Sequence, residues 1–179
     1  MKPRNVLILP GWENSGPKHW QSLWEQRHGY RRVEQHDWTK PLRGDWIARL
    51  EDVVLGCDEP VVLVAHSLGC MLATAWAAHS RNTDRVKAAL LVAPPDVERP
   101  DLREQLRSWA PIVLETLPFP AVVVASSDDP FCDIERARMF ASAWNARFID
   151  HGPCGHINAE SGLASWPEGH VLLQDLMKD

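Results

Sequence analysis

The sequence predicts an α/β domain: a compact, doubly wound parallel sheet of about six strands with helices on both faces. Three observations lead there. The strongest β segments are continuous apolar runs, such as Val61-Val-Leu-Val-Ala65 and Ala121-Val-Val-Val-Ala125, the pattern of strands covered on both sides. Segments of helical periodicity separate these runs, so strand and helix alternate. No repeat, low-complexity tract or linker breaks the alternation, so residues 1–179 read as one domain.

In order, Asn5 to Leu9 is a short apolar run closed by Pro10-Gly11, hence a buried strand. Trp12 to Gly16 is a loop. Pro17 suits a first helical turn, Trp20, Leu23 and Trp24 fall on one helical face, and Gly29 ends that helix. Arg31 to Gln35 is a weak second strand. Pro41 to Gly56 is a helix with a core-facing stripe of Trp46, Leu50, Val53 and Val54. The Val61 run is the third strand, and Met71 to Ala78 is rich in strong helix formers.

Ala88 to Val92 is the next strand, stopped by Pro94-Pro95. From there to Pro120 the chain is proline-rich, with one short helix near Asp101 to Trp109. This segment is either a small cap over a pocket or an ordinary surface excursion. Ala121 to Ala125 is the fifth strand. Asp133 to Asn145 is a helix, with Ile134, Ala137, Ala141 and Trp144 on one side. Arg147 to Asp150 is a short sixth strand, and Val171 to Met177 the last helix.

Composition narrows the function. A chain of 179 residues can bury a sizeable core, and 45% apolar with 24% charged residues is the balance of a soluble globular protein. The net charge is -5 and no basic run exists to track phosphates, so no nucleic-acid partner is expected. The first apolar segment is too short for a signal peptide or a membrane span, which predicts a cytoplasmic protein without a membrane partner. Cys57, Cys70, Cys132 and Cys154 form no CxxC pair, so they read as free thiols and give no support for a metal. Nine tryptophans against one tyrosine fit core filling, a pocket lining, or both.

The chemistry concentrates where the Val61 strand runs into Ala65-His66-Ser67-Leu68-Gly69 and then into a helix. Strand, tight turn with serine, helix is the nucleophile elbow, G-x-S-x-G, with Ala65 in place of the first glycine. Small residues two before and two after the serine let strand and helix approach. The turn strains Ser67 and lifts its hydroxyl above the sheet, where the free N–H groups of the helix point. The bland alternative is a serine that merely caps a helix.

A serine hydroxyl needs a base, and the base an orienting acid. Sites in doubly wound sheets form at the carboxyl ends of strands. Ala125 is followed by Ser126-Ser127-Asp128-Asp129-Pro130, which puts two carboxylates at one strand exit. Asp150 is followed by His151-Gly152-Pro153-Cys154-Gly155-His156, a glycine-bracketed histidine with His151 as a rival base. The order Ser, Asp, His is that of α/β-hydrolases. His66 adjoins the serine, but neighbouring side chains diverge at an elbow, so it reads as structural. An oxyanion hole needs two backbone donors. The N–H of Leu68 supplies one; the loop after the first strand supplies the other through Trp12, or failing that Glu13, with Gly11 giving the backbone freedom to turn.

The segments Pro10 to Gln21, Ala65 to Gly69, Asp129-Pro130 and Gly155 to Gly162 together resemble the small α/β-hydrolase family of the retinoblastoma-binding serine hydrolase and its bacterial relatives. The likeness covers nearly the whole chain. It implies a single-domain α/β-hydrolase fold lacking the first strands of larger enzymes, esterase-like activity, and Ser67, Asp129 and His156 as the triad. The aspartate before the proline is the orienting acid in that pattern.

The expectation is therefore a serine hydrolase that cleaves a small carboxylic ester through an acyl-enzyme, with no metal or organic cofactor. The modest 94–120 segment suggests short acyl groups. Amide or thioester hydrolysis by the same groups is the alternative, and a protein-binding module on a hydrolase fold is a third reading. Substrate identity and oligomeric state lie beyond the sequence.

Overall fold

The computed structural model describes residues 1–178. Six strands form one parallel sheet: β1 (Val6–Leu9), β2 (Arg31–Arg32), β3 (Val61–His66), β4 (Val86–Val92), β5 (Ala121–Ala125) and β6 (Arg147–Asp150), in the order β2-β1-β3-β4-β5-β6. The chain starts inside the sheet, moves to one edge, then crosses back over β1 to run to the other. The reversal lies between β1 and β3, the point at which open α/β sheets open a crevice beyond the strand ends.

The central strands are buried along their whole length because both faces are covered. Leu7, Leu9, Leu63, Ala65, Leu91 and Val123 point to one side, with α2 (Arg43–Leu55), α3 (Leu68–His79) and α5 (Ile134–Ala143). Val6, Ile8, Val62, Val64, Leu90 and Val124 point to the other, against α1 (Trp20–His28) and α6 (Pro167–Lys178). The two-residue alternation of a strand thus sorts one apolar run into two cores. Helix α3 is buried from Leu68 to Trp76, which explains its nearly continuous apolar sequence.

Several boundaries differ from the sequence pattern. Only Arg31 and Arg32 of the weak second strand pair with β1. The helix expected at 101–109 is two pieces, α4 (Pro100–Arg103) and a 3₁₀ turn over Arg107–Trp109. Helix α6 begins at Pro167 rather than Val171. Its first turn packs Gly169 under the Trp166 indole, where an added Cβ would come within 2.2 Å of the ring. Leu23, placed on the buried face of α1, is only half-buried, while Gln21 is fully buried. Gln21 Nε2 donates to the carbonyls of Leu9 and Val64, joining β1 to β3 beneath the crevice.

All four cysteines are free. Among the described residues, no helix is long and apolar enough to cross a membrane.

Candidate active site

Ser67 links β3 to α3 at φ 53° and ψ -124°, a conformation rare for a non-glycine residue. Its side chain makes no capping bond to α3, so the helix-cap reading fails. Its N–H donates to the Val92 carbonyl at 2.9 Å and its carbonyl accepts from the Cys70 N–H at 2.8 Å, which fixes the strained turn. Gly69 is required by space: a Cβ there would lie 2.2 Å from the Leu9 carbonyl oxygen.

The freed hydroxyl meets His156, whose Nε2 is 2.8 Å from Ser67 Oγ. On the other side of the ring, Nδ1 is 2.9 Å from both carboxylate oxygens of Asp129. The Asp129 and His156 side chains are 3% and 8% exposed. An acceptor pair at Nδ1 fixes the proton there and leaves Nε2 free to accept from the hydroxyl. Of the polar residues singled out in the sequence, the structure brings Ser67, His156 and Asp129 into one hydrogen-bonded chain.

A family model described as serine hydrolase matches residues 6–175. The chain belongs to the serine hydrolase family. A YdeN-like hydrolase of Pectobacterium atrosepticum superposes with a TM-score of 0.86 at 29% identity, covering 97% of this chain and 90% of that one. The ydeN gene product of B. subtilis gives 0.78 at 20% identity over 97% and 98%. Est1E of Butyrivibrio proteoclasticus gives 0.70 at 13% identity over 97% and 88%; these last two show the shared fold alone. No protein of curated function matches the sequence.

The other candidates in this serine hydrolase lie elsewhere. Asp128 does not touch His156. Its Oδ1 accepts from Ser126 Oγ and from the N–H groups of Cys154 and Gly155, so it grips the loop that carries the histidine. Those bonds, Ser126 first, hold its carboxyl below the usual range. The rival His151 turns away, with Nε2 accepting from the Trp166 indole at 3.2 Å. The Glu13 N–H donates to the Trp38 carbonyl at 3.0 Å, which removes it as a free donor. The Trp12 N–H has no acceptor among the described residues, and neither does the Leu68 N–H at the head of α3. Gly11 is needed for closeness rather than for freedom to turn: a Cβ there would sit 2.8 Å from Ser67 Cβ and 3.3 Å from the Leu68 nitrogen. It lets the Trp12 loop close on the elbow.

Two histidines that the sequence pattern left aside border the site. His66 is buried, and its Nε2–H donates to the His156 carbonyl at 2.9 Å. His19 caps α1 by accepting the Gln21 N–H at Nδ1, and its ring lies 4.6 Å from that of His66. Burial, then Arg32 and His156, lowers the His19 pKa to about 3; burial, then His19 and His156, holds His66 well below the ordinary value. Both stay neutral.

The serine opens onto a cleft of about 420 Å³. Pro95, Leu102, Leu106 and Phe131 give it apolar lining; Glu13 and Glu160 also line it. Within the proline-rich 94–120 segment, the stretch from Pro95 to Leu106 therefore contributes lining to the cleft. Phe131 packs edge-on against His156, with centroids 4.6 Å apart.

Proposed function

We propose that this serine hydrolase cleaves small carboxylic esters. Ser67 attacks the carbonyl while His156 takes its proton, and Asp129 orients the imidazole and stabilises the imidazolium. The N–H groups of Leu68 and Trp12 hold the oxyanion. Protonated His156 then releases the alcohol, and water activated by the same base frees the acid. The residues need no metal or organic cofactor for these steps.

The observation that carries this reading is the unbroken Ser67–His156–Asp129 hydrogen-bonded chain, joined to a serine backbone strained at positive φ. The segments that resemble the retinoblastoma-binding enzyme also line this site, which supports the same assignment. Thioester or amide cleavage by the same groups is the second reading. The cleft disfavours acyl groups carried on phosphorylated pantetheine, since its lining includes two glutamates and neither lysine nor arginine. A modest cleft favours short acyl chains.

The test is a fluorophosphonate probe with S67A, beside a panel of esters, thioesters and amides of graded chain length. Labelling of the native protein, loss in S67A and fastest turnover on short esters support the proposal. A folded S67A that keeps hydrolysing sinks it.

A further inference from the structure

The His156 loop is held in a conformation that its sequence does not favour. Gly155 takes φ 55° at no steric cost, but Ile157, a β-branched residue, has φ 46°. A left-handed β-branched residue is a genuine outlier, costing roughly 1–3 kcal/mol unless its surroundings hold it. Turning the peptide between His156 and Ile157 would relieve that strain and free the backbone that carries the imidazole from its anchor. Two buried donors act on that segment. His66 Nε2–H holds the His156 carbonyl at 2.9 Å, and Trp20 Nε1–H holds the Ile157 carbonyl at 2.8 Å.

We propose that His66 is a positioning residue for the base: its Nε2–H locks the His156–Ile157 peptide in the strained orientation that sets His156 against Ser67. This rests on the triad reading above. Only a histidine protonated at Nε2 can donate to a carbonyl there. His66 stays in that neutral form because it is buried and because the His19 ring packs against it. His66 also directly precedes Ser67, so one short stretch sets the serine by its own backbone and the base through a bond spanning 90 positions.

The test compares two residues of similar length. H66Q keeps an N–H donor that reaches the carbonyl; H66M fills the space without one. H66M should lower kcat and the rate of fluorophosphonate labelling by about a hundredfold, the scale of a misplaced catalytic group. KM should move little, because His66 acts through His156. H66Q should stay within about fivefold of the native rate, the worth of one imperfect hydrogen bond. The inference is overturned if folded H66M keeps its native rate, or if H66Q and H66M are slowed alike. Should H66M fail to fold, H66Q decides: near-native turnover supports the role and a hundredfold loss refutes it. S67A, run alongside, separates this from the triad reading, which fails only if S67A still turns over or is labelled.

Discussion

Asp128 and Asp129 leave β5 side by side and grip the same loop at different points: Asp129 holds the His156 ring, while Asp128 holds the Cys154 and Gly155 N–H groups of the backbone that carries it. The two carboxylates therefore predict different losses. D129N should fold normally and lower turnover about ten-thousand-fold, the scale for losing the orienting acid of a triad. D128N keeps an acceptor oxygen and should cost about tenfold, through a loosened loop. Turnover of both variants at neutral pH, with circular dichroism for folding, checks this. Greater damage from D128N would reverse the assignment.

Gly69 predicts a packing failure rather than a chemical one. Its missing Cβ would press on the carbonyls of Leu9 and Pro10, backbone that cannot rotate away. G69A should lose about 3 kcal/mol or more of stability, the upper range for overpacking a tight core. Urea denaturation measures it; an unchanged midpoint would show that α3 can lift off β1.

The buried histidines predict acid sensitivity. His19 and His66 have depressed pKa values in the fold, against about 6.5 in the unfolded chain. Between those limits the unfolded chain binds more protons, so stability is fully present above about pH 6.5 and falls as pH drops toward about 3, the His19 value. Each histidine contributes a slope of about 1.4 kcal/mol per pH unit. Urea midpoints from pH 8 to pH 5 should trace this decline. H19N, which keeps a cap on α1, should flatten it by one proton. Constant stability down to pH 5 would contradict the burial argument.

The two glutamates that line the cleft predict a charge preference. Glu13 and Glu160 face it, and no ion pair engages either among the described residues. An ester bearing a carboxylate should show kcat/KM about fivefold below its neutral isostere, as expected from about 1 kcal/mol of screened repulsion. The gap should narrow at high salt and in the E13Q/E160Q double variant. Equal rates at low salt would mean the glutamates do not sense the substrate.

Much of the fold is legible in the residues because burial on both faces leaves an unmistakable apolar run: β3 and β5 fall where the pattern puts them. The elbow is legible for the same reason, since only small residues fit around Ser67. What escapes is polar or distant. Gln21 is buried on the inner face of α1 because it bonds to two strand carbonyls, and no periodicity marks that. The first turn of α6 carries Gly169 and lies outside the Val171 to Met177 pattern, because only glycine fits beneath Trp166. Asp128 and Asp129 are equivalent as letters; the turn after β5 gives them different directions. His66 finds its acceptor 90 positions away, a pairing that no local window contains.

Both edges of the sheet carry charge. Strand β2 is only Arg31-Arg32, and β6, whose residues are exposed or half-exposed, opens on Arg147 and closes on Asp150. Short, charged edges discourage a second molecule from adding its own strand. The inner strands have no such protection of their own. Val61-Val-Leu-Val-Ala65 and Ala121-Val-Val-Val-Ala125 are uncharged, proline-free stretches of the kind that stack into fibrils once exposed. The native molecule should thus stay dispersed at high concentration, while a heated one precipitates instead of refolding. Its shelf life is then set by how rarely the edges come away, not by how well the middle is packed.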